Sequence, residues 1–264
     1  MESPNPLQDR VVLVNGGTQG VGAGIARAAA RAGATVTVSG RRPEQGEPLA
    51  AELTAAHPVP AGHAYLRADL TDPAQARGAV EQVVAAHGRI DGLVNAAGLT
   101  SRGSLLDTTP ELFDAHLAIN LRAPFFAMQA AVRDMVARSA PGAVVNVGSN
   151  CAHGGPPHLA AYSAAKAGLA ALTRNAAHAH RWDRVRVNGV NIGWTATEGE
   201  DAVQREFHGA GDDWREQAGK QLPMGRLARP EDVAGLVVLL LSDLSGVVTG
   251  SVIDWDQNVV GALD

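Results

Sequence analysis

"VVLVNGGTQGVGAGIARAAARAG", residues 11–33, is the stretch that decides the fold. Val11–Val14 is a short β-branched run ending in a glycine cluster, and the glycines open directly into an alanine-rich stretch with helical spacing. β-Branched runs bounded by turn formers read as strands, so the segment is strand, tight turn, helix. Gly16, Gly20 and Gly22 stand in a G-x-x-x-G-x-G spacing. Glycine lets a backbone turn sharply and approach a phosphate closely, and a helix start offers free N–H groups at the positive end of its dipole. A tight strand–helix corner can be built with the same glycines. The strand before and the helix after are what point to a dinucleotide pyrophosphate. The spacing differs from the commoner G-x-G-x-x-G.

The alternation repeats outward from this segment. Thr35–Val38, Ala64–Arg67, Gly92–Val94, Ala143–Val147, Val185–Val190 and Ser251–Ile253 read as strands. Longer segments with helical periodicity lie between the first six strands, among them Gly22–Ala32, Ala74–His87, Glu111–Arg138 and Ala161–His180. Strand–helix alternation predicts an α/β, Rossmann-type doubly wound parallel sheet of about seven strands, with helices on both faces. Helix starts are marked by Thr71 or Asp72 before Pro73, by Thr109 before Pro110, and less clearly around Pro230, since an early proline loses no hydrogen bond there. No repeat or linker divides the chain, so residues 1–264 read as one domain. The polar, glycine-containing stretch 194–224 reads as an irregular substrate lid.

Composition excludes several classes. A net charge of −5 gives no global pull toward nucleic acid or an anionic membrane. The lone cysteine, Cys151, excludes an internal disulfide. The start, MESPNPLQDR, has no apolar leader, and the run Leu236–Leu241 is too short to cross a bilayer. These features predict a cytoplasmic protein with a small-molecule substrate. No His/Cys/Asp spacing suggests metal, and no histidine is expected to be a ligand.

The second strand ends in Ser39-Gly40-Arg41-Arg42. An NAD-binding turn of this type usually carries an acid there for the ribose hydroxyls, whereas arginine matches a 2′-phosphate. The expectation is NADP(H), with NAD(H) as the alternative if both arginines face solvent.

The chain has two tyrosines, and its only lysines are Lys166 and Lys220. Tyr162 and Lys166 stand at i and i+4 on a predicted helix, one turn apart on one face. An ammonium beside a phenol favours the phenolate, which makes tyrosine usable as a general acid or base.

With these residues in order, the chain resembles the short-chain dehydrogenase/reductases, in their branch of about 250 residues. The resemblance spans essentially the whole chain. It rests on the glycine turn, Asp69-Leu70 after the third strand, Asn95-Ala96-Ala97-Gly98, Asn120 in "LAINLRAPFF", and Ser149, thirteen residues before Tyr162. It implies a catalytic tetrad. Ser149 positions the substrate oxygen, Tyr162 exchanges a proton with it, and Lys166 lowers the tyrosine pKa and holds the nicotinamide ribose. Asn120 holds a water for proton relay. It also implies a cofactor cradle of Gly16, Thr18, Gln19, Gly20, Val21, Gly22, Arg41, Arg42, Asp69, Leu70, Asn95, Ala96 and Gly98, with Tyr162, Lys166, Ile192, Gly193, Thr195 and Thr197. Homotetramers, or homodimers, are the expected assembly, with "PMGRLARPEDVAGLVVLLLSD" similar to the family's interface region.

The chain departs from the family pattern at a few places. Asn15 stands in place of threonine, Gly148 in place of a serine, Ile192 in place of proline, and Gln257-Asn258 in place of Gly-Gly. None of these removes a tetrad member. The substrate pocket is expected to include Thr100, Asn150, Cys151, His153 and Trp194, with Arg102, His158, Glu198, Asp201, Phe207, His208 and Trp214 nearby. Three functions remain open: an NADP(H)-linked ketone reductase or secondary-alcohol dehydrogenase; an NAD-linked sugar, polyol or cyclitol dehydrogenase; and a nucleotide-binding scaffold without catalysis.

Overall fold

Seven strands line up in one parallel sheet in the order β3-β2-β1-β4-β5-β6-β7. They are β1 (Val11–Asn15), β2 (Thr35–Gly40), β3 (Ala64–Arg67), β4 (Gly92–Asn95), β5 (Gly142–Ser149), β6 (Val185–Ile192) and β7 (Val252–Trp255). This computed structural model describes residues 5–260. The first four residues of the start read above as leader-free, and the last four of the chain, lie outside the described residues. The strand order reverses between β1 and β4, so the loops leaving those strands diverge and open a crevice at the carboxyl ends of the sheet.

Nine α-helices cover the sheet among the described residues: α1 (Gly20–Arg31), α2 (Pro43–Ala56), α3 (Pro73–His87), α4 (Pro110–Leu117), α5 (Ala123–Ala137), α6 (Ala160–His180), α7 (Glu198–His208), α8 (Trp214–Gly219) and α9 (Pro230–Leu241). Alternation along β1 sends Val12 and Val14 into a core with α1, α2 and α9, and Val11 and Leu13 into a second core with α3, α5 and α6. The central strands are buried on both faces, which is why they read as continuous apolar runs. The sequence-marked helix starts are capped. Asp72 accepts from Ala74 N, Thr109 from Leu112 N, and Asp232 from Arg229 N.

Helix α2 fills the helical gap expected between β2 and β3, across Gly46 and Pro48. Gly46 is there because a Cβ at that position would overlap the Tyr65 ring. Two elements differ from the sequence reading. The single helix expected over Glu111–Arg138 is interrupted by a π-helical turn, Ala118–Arg122, in which Ala123 N bonds five residues back to Ala118 O. Pro124 has no N–H to donate to Asn120 O, so a continuous α-helix cannot be completed there. Residues 194–224, expected to be irregular, contain α7 and α8.

Candidate active site

A ladder of amides ties the strand ends together below the crevice. Ser39 Oγ donates to Asn15 Oδ1 (2.7 Å), Asn15 Nδ2 to Asn95 Oδ1 (3.3 Å), Asn95 Nδ2 to Asn146 Oδ1 (2.8 Å), and Asn146 Nδ2 to Thr173 Oγ1 (2.9 Å). Each of these side chains is buried. Asn15, the departure from threonine, is thus a rung linking β1 to β2 and β4. The amide of Asn95 is held by Asn15 and Asn146, so this residue shapes the cradle by fixing the strand ends.

The cradle lies at the end of β1. Gly16 and Gly20 have positive φ (72° and 53°), which only glycine adopts without strain. A Cβ on Gly22 would overlap Gly16 O, and one on Gly16 would collide with Ala97 of the loop after β4. The backbone here leaves the close approach a pyrophosphate needs, above the amino end of α1. Thr18 packs against Gly40, where a Cβ would meet its side chain at 2.8 Å. No acidic side chain occupies the end of β2: Ser39 is buried and bonded to Asn15, and Gly40 has none. Arg42 donates to Gln19 across the glycine turn. Asp69 accepts from the Thr71 hydroxyl and N–H, and these bonds, with Arg41 nearby, hold its carboxyl below the usual range. Leu70 is buried. The residues present therefore fit a nicotinamide dinucleotide.

The predicted tetrad converges on the other side of the crevice. Ser149 ends β5 and accepts from Cys151 N (3.2 Å), which orients its hydroxyl. Lys166 is 4% exposed, bonds Val147 O through Nζ (2.9 Å), and stands 5.7 Å from the Tyr162 ring centre. Burial pushes the Tyr162 phenol up to about 12, while a hydrogen bond with Ser149 pulls the other way. Burial pulls Lys166 down to about 8. Desolvation dominates at Tyr162, and the Ser149 hydrogen bond is the larger of the influences that lower its pKa, with Arg102 the smaller. Asn120 lies in the π turn and grips the loop after β4. Its Nδ2 donates to Leu99 O (3.0 Å) and its Oδ1 accepts from Leu99 N (3.2 Å).

The segment after β6 contributes Trp194, Thr195 and Thr197. Thr197 caps α7 by accepting from Glu200 N (3.0 Å) and packs against the position of Gly20. Thr195 is buried, its hydroxyl bonded to Gly193 O. Trp194 stacks on Trp214 with ring centres 6.0 Å apart.

The family model described as enoyl-(acyl carrier protein) reductase matches residues 16–257, from the first turn glycine past the lid. The chain belongs to the short-chain dehydrogenase/reductase family. It is 35% identical, over 94% of its length and 95% of the relative's, to 2-(S)-hydroxypropyl-CoM dehydrogenase 3 of Xanthobacter autotrophicus. It is 34% identical, over 93% and 94%, to L-rhamnose 1-dehydrogenase (NAD(P)(+)) of Azotobacter vinelandii. The crystal structure of a dehydrogenase/reductase from Sinorhizobium meliloti 1021 superposes with a TM-score of 0.84 at 33% identity, covering 95% of each chain. This short-chain dehydrogenase/reductase is thus an oxidoreductase with the fold of a nicotinamide-dinucleotide enzyme.

Asn150 Oδ1 accepts from Ser149 Oγ (3.3 Å), which sets Asn150 against the tetrad serine. Asn150 donates to Asp256 Oδ2 (2.7 Å) and His153 pairs with Asp254 Oδ1 (2.8 Å), which ties both to the end of β7. Cys151 is buried. Two residues were missed. His116 is buried edge-on to the Tyr162 ring, at 6.1 Å. Its Nδ1 faces Asn120 Nδ2 (3.3 Å) and its Nε2 faces Ser101 O (3.0 Å). This pattern is that of a neutral ring with its proton on Nε2, and burial pulls its pKa down. The i, i+4 spacing to Asn120 was the available signal. Glu200 was missed because the lid was read as irregular, although T-x-x-E at 197–200 is a helix-start pattern.

Proposed function

We propose that this enzyme interconverts a ketone and a secondary alcohol with NADP(H), using Tyr162 as the proton donor in reduction. The observation that carries the reading is the meeting of half-buried Tyr162 with Ser149, its hydrogen-bond partner, and with Lys166, whose Nζ stands 5.7 Å from its ring centre. A phenol so placed can give its proton to a developing alkoxide. Ser149, fixed by Cys151 N, donates to the same oxygen and orients it. Lys166, largely charged at pH 7 and close to the ring, supplies positive charge on the cofactor side. Asn120 holds the loop at Leu99 that walls the site. A nicotinamide dinucleotide bound over the glycine turn would supply or accept the hydride.

The lack of an acid at the end of β2, with Arg41 and Arg42 following it, supports the preference for NADP(H). The second reading, an NAD-linked sugar, polyol or cyclitol dehydrogenase, draws support from the polar side chains in the lid. The scaffold reading is disfavoured because all four tetrad positions are filled. A homotetramer or homodimer draws support from an open groove beside Leu117, Leu121 and half-exposed Phe125, and a cytoplasmic location is proposed from the sequence alone. No helix among the described residues is long and apolar enough to cross a membrane.

The test is Tyr162→Phe, assayed with NADPH against a panel of small ketones. Turnover is expected to fall by about 10²–10⁴-fold with NADPH binding retained. Full turnover in the variant would overturn the assignment.

A further inference from the structure

We propose that Glu200 and Arg102 form a recognition pair for hydroxyl groups beside the reacting carbon, so that the substrate is an uncharged polyhydroxylated ketone or its alcohol. The inference rests on the reading of Tyr162 as the proton-transfer group. Its starting point is an ion pair that is not finished. Arg102 Nη2 stands 3.8 Å from Glu200 Oε1, with the side chains 12% and 15% exposed. Arg102 uses Nε on His208 Nε2 (3.2 Å) and Nη1 on Thr100 O (2.8 Å). Glu200 Oε1 already accepts from Trp194 Nε1 and Gln204 Nε2, both at 2.8 Å. Glu200 Oε2 and Arg102 Nη2 carry no hydrogen bond among the described residues.

The pair sits at the mouth of the site. A bridge between Gly103 and Leu159, with Gly103 N on His158 O (2.9 Å) and Ala160 N on Gly103 O (3.1 Å), knits the Arg102 loop to the start of α6. Tyr162 follows in the first turn of that helix. Helix α7 closes over it, with His208 5.4 Å from His158. Arg102 and Glu200 both act electrostatically on the Tyr162 phenol, in opposite directions.

Neither Glu200 Oε2 nor Arg102 Nη2 is a buried atom without a partner, so both reach solvent in the open site. A substrate that displaces that water must replace its bonds or leave a mostly buried charge pair unmet, which is costly. An apolar ketone would remove the remaining water and satisfy neither group. A carboxylate or sulfonate would meet Arg102 but be repelled by Glu200. A diol meets both: one hydroxyl donates to Oε2 and another accepts from Nη2. The partly exposed Trp194 ring beside Glu200 offers a flat apolar wall for the C–H face of such a molecule.

The experiment uses matched ligands on the enzyme with NADP+: 2-butanol against 2,3-butanediol, cyclohexanol against 1,2-cyclohexanediol, and 3-hydroxybutanoate as the anion. Binding is read by calorimetry and kcat/KM by absorbance, in wild type, Glu200→Gln and Arg102→Gln. The diols are expected to exceed the mono-ols by about 100-fold or more in kcat/KM and to bind more tightly, since a site built to bond a hydroxyl rejects the analogue that lacks it. Each variant should reduce that ratio to under about 10-fold. The ratio is insensitive to a general loss of active protein, and the wild-type comparison needs no variant. Equal affinity for diols and mono-ols, a diol preference that both variants retain, or tightest binding of 3-hydroxybutanoate would overturn the proposal. Calorimetric preference for diols with no turnover of any alcohol would remove the Tyr162 reading and leave the recognition pair standing.

Discussion

Lys166 and Tyr162 are displaced toward their neutral forms by the same burial, and their consequences run in opposite directions with pH. Lys166 titrates at about 8 in the folded chain instead of 10.5. The fold disfavours its ammonium, so its contribution to stability is full above pH 10.5 and is lost as pH falls through about 8. Its charge is needed in the site and is lost as pH rises past about 8. Cofactor affinity should therefore fall across pH 8–10 while thermal stability gains from this group. Titration of nicotinamide fluorescence against pH, in wild type and Lys166→Met, checks this; the variant should lose the dependence. The neutral His116 ring holds Asn120 and Ser101 O at once. His116→Leu should lower stability by about 1–3 kcal/mol through the unpaired buried partners, measured by urea unfolding, and should lower kcat more than it raises KM. At this scale the Tyr162–Lys166 pair and the turn glycines were readable from residue type and spacing, and Ser149 only through the family resemblance. His116 was not, because a histidine in an amphipathic helix reads as ordinary core until its partners are known.

Among the elements, α7 carries Glu200 of the proposed recognition pair and has no buried residue of its own. It is held by the Thr197 cap, by the Trp194 and Gln204 bonds to Glu200, and by Trp214 Nε1 on Asp201 (2.7 Å). Thr197→Ala should cost about 1 kcal/mol of helix stability. That loss should appear as faster hydrogen exchange confined to residues 198–208, with the global unfolding midpoint little changed. A drop of the whole chain's midpoint would mean that α7 is part of the cooperative core. The long helices and central strands were legible from periodicity. The break at 118–122 was not, because the helical periodicity continues through it, although Pro124, with no N–H for Asn120 O, marks the place where the π turn forms.

The whole molecule is organised by the reversal of strand order between β1 and β4, where the amide ladder holds the carboxyl ends in register. Asn95→Leu would leave Asn15 and Asn146 short of partners, and about 1–3 kcal/mol should be lost, read by denaturant midpoint. The parallel sheet was legible because its strands are buried on both faces and follow helices in turn. The ladder was not, since each asparagine belongs to a different strand and only the register β1–β4–β5 aligns Asn15, Asn95 and Asn146. The crevice is proposed to take NADP(H), and the decisive measurement is titration with NADPH and NADH in wild type and Arg41→Ala. Charged hydrogen bonds to a 2′-phosphate predict an NADPH preference of about 10–100-fold, largely abolished in the variant. Equal or tighter binding of NADH, unchanged by Arg41→Ala, would contradict it.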